Sequence, residues 1–506
     1  MQSQKITFRI LRGGALALVL TSALALAAVF VVPAAGGVAF AGRPQAAVGD
    51  AWVRALDRVL SGKGLQGAEV SALVVRQRDG AVLYARTPDR LMIPASNAKV
   101  LTALAALDAF GPSHRFETTI SSDVSPGPKG EVGKLYLRGG GDPTITSEDW
   151  WRFASELRDA GLQRVSGDLL LDDALFDRLR WHPSVEGISS RAYHAPVGAL
   201  NANYGSFAVT VRPGAKIGDP VSVTVNPPVS YLEISNHGKT LGKRERPSLV
   251  VDRSEGKNSE IVTIRGGVRV GDPSKTYYRS VLHPDRYAGA VLKLQLAAVG
   301  VEVAGRVRAG VAPKSAFALH RFKGRSVGEI VRLLMKFSNN GIAESMVKNL
   351  GALANGGVGT WEAGVPEMRR RLIARGVPAA GFKLVDGSGL SYHDRVSPRA
   401  LVAALRVGLD SFRFGPEFVT SLPIAARDGT LEKRAEGAQD WVRAKTGLLN
   451  GVTGLSGYAA IKSPNPQGRR ERVVFSVLAN GCKHGDSAAM DAIDNFVSLL
   501  TAVRAN

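Results

Sequence analysis

The spacing of apolar and polar residues predicts a β-hairpin followed by a buried helix near the start of the chain. Residues 70–75 and 81–84 are mainly apolar and flank an Asp-Gly pair at 79–80, which is a favoured hairpin turn. Residues 100–107 then form an almost wholly apolar run without glycine or proline. A run of this kind predicts a helix that is buried on all sides.

Three strands and a helix are predicted near the other end of the chain. The strands are residues 442–446, 457–461 and 472–478, and the loop 463–468, which contains proline and glycine, separates the last two. Residues 486–503 have the length and pattern of a closing helix. Strands from both ends can therefore join in one antiparallel sheet with helices packed on it.

Between these parts, residues 117–320 have a different pattern, with short alternating runs and frequent turns. The predicted strands there include residues 207–211, 221–225 and 261–264. The predicted helices are residues 148–160, with Ser147 as N-cap and Gly161 as stop, and residues 287–299, ending at Gly300. We interpret residues 117–320 as one inserted domain or a pair of domains.

The first forty-one residues are predicted to be a targeting segment. Three cations precede the uncharged, mostly apolar stretch 13–32, and the Ala-Phe-Ala sequence at 39–41 suits a signal peptidase. The apolar stretch is also long enough to span a bilayer if it is not cleaved. We therefore expect an exported, periplasmic protein that is membrane-anchored only if the leader is retained.

Composition and charge narrow the class of protein. With 506 residues, of which 45% are hydrophobic and 22% charged, the chain is globular and large enough for two or more domains. Its net charge is +21, and residues 1–41 hold three cations and no anions, which leaves +18 on the rest. Such a surface attracts polyanions. Export and the lack of a recognition motif argue against nucleic acid and favour an anionic envelope surface.

The sequence contains no pattern that is typical of a metal site. Its eight histidines are scattered singly, without an H-x-x-H or C-x-x-C arrangement. The single cysteine, Cys482, excludes an intrachain disulfide. We therefore expect no metal ion and no other cofactor, and nothing in the sequence indicates an oligomeric state.

Three short motifs occur in a fixed order: S-x-x-K at residues 96–99, S-x-N at 338–340 and K-T-G at 445–447. Acyl transfer through a serine needs an activated hydroxyl, a base, a proton relay and a cation for the negative end of the substrate. Together, the motifs supply all four groups. Because each motif is common by itself, the prediction depends on their order and context.

The context is strongest at Ser96, which lies just before the apolar run 100–107. A serine at a helix N-terminus lies near unpaired backbone N–H groups and the positive end of the helix dipole. Lys99 follows one turn later on the same face, within reach of Ser96. An N-cap serine with a solvated lysine would not explain the apolar surroundings. A lysine there must be partnered or deprotonated, and a deprotonated amine is what a general base requires.

With these motifs, the chain resembles the class C low-molecular-mass penicillin-binding proteins, the D-alanyl-D-alanine carboxypeptidase/endopeptidases of peptidase family S13. The resemblance covers about residues 50–505. Further matching stretches are residues 141–144, 343–344, 386–391, 396–399, 428–431 and 443–447. It implies an α+β fold in which a β-lactamase/transpeptidase-like domain, an antiparallel sheet with helices on both faces, carries a large strand-rich insert.

The resemblance also implies a division of the chain and a substrate. Residues 1–41 would be the signal peptide, 42–116 and 321–506 a discontinuous catalytic domain, and 117–320 the inserted accessory domain or domains. The substrates would be peptidoglycan stem peptides, cut at D-Ala-D-Ala termini, at D-alanyl cross-links or at both. β-Lactams would act as inhibitors by acylating the same serine.

By the same resemblance, five residues would carry out catalysis. Ser96 would attack the carbonyl of the penultimate D-alanine, and Lys99 would take its proton. Ser338 would relay that proton to the leaving amine, and Asn340 would hold the substrate amide and orient Lys99. Lys445 would bind the terminal carboxylate or polarise the relay.

Four further residues would bind substrate. Thr446 and Gly447 belong to the K-T-G motif, and the backbone N–H of Leu448 would complete an oxyanion hole with that of the nucleophile. The family usually has threonine at position 448, so leucine removes a hydrogen bond to the carboxylate that is worth about 1.5–3 kcal/mol. Glu186 is the acid in residues 181–188, where the family grips a free amine of the substrate; the alternative is a plain surface carboxylate.

Two other functions fit parts of the sequence. A serine β-lactamase would share the three motifs but needs a deacylating base, and Glu344 is so close to Ser338 that helical packing explains it better. A non-catalytic envelope-binding protein would fit the charge and the large insert. All five residues of the catalytic set are nevertheless present, and a vestigial site tends to lose at least one.

Overall fold

The computed structural model describes residues 50–462 and 470–502, so the predicted signal peptide and the loop 463–468 lie outside the described residues. Within them, no helix has the combination of length and apolarity that a bilayer crossing requires. The described residues contain ten α-helices: α1 (Asp50–Leu60), α2 (Ala98–Phe110), α3 (Ser147–Asp159), α4 (Pro284–Ala298), α5 (Val327–Phe337), α6 (Asn340–Asn355), α7 (Trp361–Ala374), α8 (Pro398–Asp410), α9 (Gly415–Ser421) and α10 (Asp486–Ala502).

The strands of the described residues differ widely in length, from two residues to eleven. They are β1 (Glu69–Arg76), β2 (Val82–Arg86), β3 (Arg115–Ser122), β4 (Glu131–Val132), β5 (Leu135–Arg138), β6 (Arg164–Val165), β7 (Leu169–Asp172), β8 (Ser206–Arg212), β9 (Ser222–Asn226), β10 (Leu232–Asn236), β11 (Lys239–Leu241), β12 (Val250–Glu255), β13 (Glu260–Arg265), β14 (Gly267–Arg269), β15 (Lys275–Ser280), β16 (Glu302–Val303), β17 (Val307–Ala309), β18 (Phe317–Ser326), β19 (Phe382–Lys383), β20 (Arg395–Val396), β21 (Val442–Leu449), β22 (Val452–Lys462) and β23 (Arg470–Asn480).

The two ends of the chain meet in one five-stranded sheet of order β2-β1-β23-β22-β21. All four pairings are antiparallel, and β1 pairs with β23 from Glu69–Asn480 to Arg76–Val473. The hairpin, the three C-terminal strands and their union in one sheet, all predicted from the sequence, are confirmed. Nearly four hundred residues separate strands that are direct neighbours in this sheet.

Helices cover both faces of the sheet, and the strand residues explain why. Alternate side chains of β1 point to opposite faces: Leu73 and Val75 belong to a core with α2, α5, α6 and α8, whereas Val74 belongs to a second core with α1 and α10. Phe475 of β23 lies in the second core and is fully buried. Because both faces are buried, these strands are continuous apolar runs rather than alternating ones.

The middle of the chain forms a third core around a second five-stranded sheet of order β17-β7-β5-β3-β18. Its first and last strands along the chain, β3 and β18, pair with each other, so the chain leaves and returns along adjacent strands. The helices α3 and α4 contribute fully buried Trp150, Phe153, Tyr287 and Leu292 to this core. Small sheets of two or three strands make up much of the remainder, in agreement with the predicted strand-rich insert.

The structure corrects the start of both helices predicted in this region. The N-cap of α3 is Thr146 and not Ser147, since Thr146 and Asp149 form a reciprocal capping box. Ser147 is the first helical residue, and its backbone N–H donates to the side chain of Asn203. Helix α4 begins at Pro284 rather than at 287, because proline is compatible with the first turn of a helix.

We call the sheet β2-β1-β23-β22-β21 the main sheet. We expect the substitution Phe475→Ala to lower the free energy of unfolding by about 3–5 kcal/mol, because it leaves a cavity between the main sheet and α10. Urea unfolding followed by circular dichroism measures this change. The matched control is Phe412→Ala, since Phe412 is fully exposed and should change stability by less than about 0.5 kcal/mol. Equal effects of the two substitutions would contradict the assignment of Phe475 to the core.

Candidate active site

Ser96 lies in a single turn of 3-10 helix, Ala95–Asn97, that leads directly into α2. The preceding residue, Ala95, has a φ of +47°, in the left-handed region that residues with a β-carbon rarely adopt. Apart from a partly exposed end at Ala109 and Phe110, α2 is buried over its whole length. The predicted apolar helix is therefore confirmed, and its start holds the serine in a constrained turn.

Lys99 is fully buried one turn after the serine, and its amine contacts three oxygens. The distances from Nζ are 2.9 Å to Ser96 Oγ, 2.7 Å to Asn340 Oδ1 and 2.6 Å to the carbonyl oxygen of Ser388. An ammonium would donate to all three oxygens. A neutral amine can donate to only two and has a lone pair for the hydroxyl proton of Ser96.

Burial lowers the pKa of the Lys99 amine to about 8, because the charged form loses its hydration in the protein interior. Three nearby carboxylates act in the opposite direction and keep the pKa from falling further. The amine is therefore close to the point at which it gains and loses its proton near neutral pH, as a general base requires.

The S-x-N motif forms the junction between α5 and α6. Ser338 ends α5 with a φ of +55°, and the side chain of Asn339 accepts from the backbone N–H of Ile342 to cap α6. Asn340 begins α6, and while its oxygen accepts from Lys99 its amide nitrogen donates to the Tyr193 carbonyl at 2.8 Å. The junction therefore aims the first and third residues of the motif at the two lysines.

Lys445 lies on β21 and is fully buried, like Lys99. Its Nζ donates to Ser338 Oγ at 2.9 Å and to the Thr446 carbonyl at 2.8 Å. Burial, and then the neighbouring amine of Lys99, lower the pKa of Lys445 well below its usual value. The hydroxyl of Thr446 donates to Thr430 Oγ1 at 2.8 Å. All three motifs thus meet through Lys99 and Lys445.

Position 447 requires glycine because β21 passes very close to the serine turn. A β-carbon there would lie 2.4 Å from Asn97 Nδ2 and 2.7 Å from the carbonyl oxygen of Pro94, and no side chain fits that space. The next residue, Leu448, has a side chain that is 45% exposed. A polar side chain at 448 would therefore be accessible from the solvent.

Glu186 is exposed, and the described structure gives its carboxylate no hydrogen bond or ion pair. Its chain segment nevertheless adjoins the motifs. Ser184 Oγ donates to Ser391 Oγ at 2.8 Å, and Val185 lines a small cavity together with Asn340. The residue is therefore near the site but in no contact that defines a role.

A cavity of about 480 Å³ opens beside the S-x-N motif. One wall consists of Phe337 to Asn340, and the opposite wall comes from the middle of the chain. Other lining residues are Ser147, Glu148, Tyr193, Tyr204, Phe207 and Tyr278. The cavity beside the S-x-N motif is thus lined jointly by the junction of α5 and α6 and by the middle of the chain.

Two groups at the site were not found by reading the sequence for side-chain chemistry. The carbonyl of Ser388 contacts Lys99 through the backbone, and such a contact leaves no mark on residue type. Glu344 does more than pack within its helix, since it accepts from the backbone N–H groups of Gly387 and Ser388. Its oxygens face that loop, which argues against a role as deacylating base.

No group of three or more His, Cys, Asp and Glu side chains within residues 50–462 and 470–502 has an arrangement that could hold a metal ion. Cys482 is half-buried, and its thiol is free. Burial raises the pKa of that thiol, so it is a poor nucleophile.

Comparison with known proteins gives a family match over most of the chain. The D-Ala-D-Ala carboxypeptidase 3 (S13) family matches the chain over residues 52–503. The chain is 36% identical over 446 residues to a D-alanyl-D-alanine carboxypeptidase of Actinomadura sp., covering 84% of this chain and 80% of that protein. It is 26% identical over 427 residues to the carboxypeptidase DacB of Mycolicibacterium smegmatis, covering 82% and 77% of the two chains.

Solved structures share the fold. The crystal structure of penicillin binding protein 4 from Haemophilus influenzae matches with a TM-score of 0.74 and 23% identity, covering 87% of this chain and 98% of that one. The same protein in complex with a β-lactam matches with a TM-score of 0.69 and 24% identity, covering 88% and 97% of the two chains.

The chain belongs to the D-Ala-D-Ala carboxypeptidase 3 (S13) family. It is therefore an enzyme of the serine-type carboxypeptidase class. The family that the chain resembles, and the α+β, transpeptidase-like fold that this resemblance implied, are both confirmed.

We expect Lys445→Met to raise the thermal midpoint at pH 7 by a few degrees, because it removes a buried amine whose charged form is disfavoured. Because the pKa of the Lys445 amine is lower in the folded state, the unfolded chain binds a proton more readily, and this favours unfolding below the ordinary lysine pKa of about 10.4. The loss of stability disappears as the pH approaches that value. The gain in midpoint should therefore shrink between neutral pH and pH 10, as differential scanning calorimetry would show.

The matched control for this prediction is Lys348→Met. Lys348 is also fully buried, but its amine lies 2.5 Å from Asp177 Oδ1 and over the ring of Trp361. Its removal leaves a carboxylate without its partner, so the midpoint should fall. A fall of the same size in Lys445→Met would contradict the predicted cost of the buried Lys445 amine.

Proposed function

We propose that the enzyme hydrolyses D-Ala-D-Ala termini, D-alanyl cross-links or both in peptidoglycan stem peptides, through an acyl-enzyme on Ser96. The observation that carries this proposal is the contact of the Lys99 amine with both Ser96 Oγ and Asn340 Oδ1. A serine whose hydroxyl lies 2.9 Å from a buried amine of lowered pKa can be deprotonated as it attacks. β-Lactams present a carbonyl to the same serine and would inhibit by acylating it.

Acylation follows from these contacts. Ser96 Oγ attacks the carbonyl of the penultimate D-alanine, and its proton passes to the lone pair of Lys99 Nζ. The negative charge that develops on the carbonyl oxygen is stabilised by the backbone N–H groups of Ser96 and Leu448. β21 lies against the serine turn, with Gly447 at the closest approach, and this close packing supports an oxyanion hole made by the two N–H groups.

The leaving amine must gain a proton when the C–N bond breaks. Ser338 Oγ accepts from Lys445 Nζ, and its own proton is therefore available to a group in the cleft. Ser338 passes that proton to the leaving amine and recovers one through the lysine pair. Water then attacks the ester carbonyl, with Lys99 as base, and releases the shortened peptide and free Ser96.

Recognition of the substrate ends would fall to the K-T-G strand and the insert. Lys445 and Thr446 supply an amine and a hydroxyl for the terminal carboxylate, and Leu448 provides only its backbone. Glu186 is the candidate for the free amine of the substrate, supported by the adjacency of its segment to Asn340 and Ser391. An exposed carboxylate suits a charge that arrives from solvent.

The organisation that we propose for the chain has four parts. Residues 1–41 are a signal peptide, residues 42–116 and 321–506 form the catalytic domain, and residues 117–320 form the accessory insert. The separate core around β3 and β18, and the pairing of these two strands, support an insert that begins and ends within these strands. The net charge supports a periplasmic enzyme held close to the anionic envelope.

Incubation with a labelled penicillin tests the nucleophile. We expect one adduct per chain, and mass spectrometry should locate it on the peptide that contains Ser96. Ser96→Ala should abolish labelling, and Lys99→Ala should slow it by at least about a hundredfold, as expected for loss of a general base. The control is Ser388→Ala, which should still be labelled because only the backbone of Ser388 contacts Lys99. Near-normal labelling of Lys99→Ala would refute its role as base.

The leucine at 448 should limit carboxypeptidase activity. We expect Leu448→Thr to raise kcat/KM for a peptide ending in D-Ala-D-Ala by about tenfold or more, since it restores a hydrogen bond to a charged carboxylate. Leu448→Val is the matched control, as it has the shape of threonine without the hydroxyl. Release of D-alanine measures the rate, and an equal gain in both variants would contradict the explanation.

A further inference from the structure

Three buried carboxylates lie near Lys99. Glu344 lies on α6, Asp386 is the first residue of the loop 386–391, and Asp394 follows that loop. The proposed acyl-transfer steps use none of them. Buried carboxylates are costly unless each has partners, so their contacts indicate what they do.

Glu344 and Asp386 bind the backbone of the loop. Glu344 Oε1 accepts from the N–H of Ser388 at 2.7 Å, and its Oε2 accepts from the indole N–H of Trp361 at 2.7 Å. Asp386 accepts from the N–H groups of Gly389 at 2.6 Å and Ser391 at 2.9 Å. The N–H groups of the loop therefore point to carboxylates.

The carbonyl groups of the same loop point the other way, to α2. The carbonyl of Gly387 accepts from the hydroxyl of Thr102 at 2.7 Å, and that of Ser388 accepts from Lys99 Nζ at 2.6 Å. The loop is thus fixed between carboxylates on one side and α2 on the other. Any movement of the loop would change the position of the Ser388 carbonyl and with it one of three contacts of the Lys99 amine.

Asp386 and Asp394 form a pair that holds a proton. Asp394 Oδ1 accepts from the N–H of Val385 at 2.8 Å, whereas its Oδ2 is buried without a donor among the residues that the structure describes. Burial, and then the adjacent Asp386, raise the pKa of Asp394 well above its usual value. A protonated Asp394 Oδ2 supplies its own hydrogen to Asp386, which satisfies both groups.

We propose that Glu344, Asp386 and Asp394 are positioning residues for Lys99. Together they hold the loop so that the Ser388 carbonyl contacts the Lys99 amine. The two aspartates share one proton, and the negative charge that remains on the three residues sets the pH range in which Lys99 can accept the serine proton. This inference rests on the proposed role of Lys99 as base, and it adds the groups that tune that base.

The sign of the effect follows from the charges that face the amine. The negative charge of the carboxylate cluster favours the ammonium form of Lys99, and the aspartate pair contributes one charge to it. Burial and the neighbouring Lys445 oppose the ammonium form. The imidazole of His182 interacts electrostatically with Asp386, and also with Glu362 and Lys348. Loss of negative charge from the cluster should therefore let Lys99 remain neutral at lower pH.

The test is the pH dependence of acylation by a labelled penicillin, measured for wild type and variants. Because the aspartates share one proton, Asp394→Asn leaves one negative charge, and the acid limb of its pH profile should stay within about 0.3 units of wild type. The double variant D386N/D394N removes that charge, and its acid limb should move toward acid by about one unit or more. Glu362→Gln removes an exposed charge from α7 and should leave the limb in place.

Each outcome decides the matter. A slower rate with an unmoved limb in the double variant would overturn the inference in favour of a merely structural role, and so would a shifted limb in Asp394→Asn alone. If the double variant does not fold, Glu344→Gln replaces it, since glutamine retains an acceptor for Ser388 and removes a charge; its limb must also move toward acid. If the wild-type enzyme is never acylated, the proposed function is refuted as well. If the wild type is acylated normally and the acid limb does not move in the variants, only this inference is refuted.

Discussion

The amine of Lys99 is buried in an apolar interior, with no carboxylate of the described chain at ion-pair distance. Three oxygens hold it: one from Ser96, a turn away, and two from remote parts of the sequence, Asn340 at the start of α6 and the backbone of Ser388. Burying such a group costs several kcal/mol unless it is paired or neutral. The three oxygens accept hydrogen bonds from the amine, and burial lowers its pKa so that its neutral form is accessible. The buried carboxylates near the loop keep the pKa from falling further.

A second buried lysine makes the constraint stronger. Lys445 contacts Ser338, and the two amines lower each other's tendency to hold a proton. Such an arrangement is unfavourable for stability and favourable for proton transfer, because a neutral amine is available at ordinary pH. The main sheet provides the rigidity that keeps both lysines in place: α2 is packed on one of its faces, and β21 is its edge strand next to the serine turn.

The insert contributes to the site through backbone and side-chain contacts rather than through catalytic groups. The carbonyl of Tyr193 accepts from Asn340, and Ser184 donates to Ser391 beside the carboxylate cluster. The cavity beside the S-x-N motif has one wall from each part of the molecule. Under the proposed function, residues 117–320 would influence what fits in the cavity, while the groups proposed to transfer protons lie on the main sheet and its helices.

Local physics was enough to predict much of this protein. The spacing of Ser96 and Lys99 places both on one face of a helix, and continuous apolar runs identified the hairpin, α2 and the strands of a sheet that is buried on both faces. The cap of α3 was misplaced by one residue because threonine and serine are adjacent there and both can cap a helix. Local patterns cannot reveal a contact between Lys99 and a residue 241 positions away, nor the backbone carbonyl that Ser388 offers. Those depend on tertiary structure, because any residue type has a carbonyl and only the packed loop aims this one at the amine.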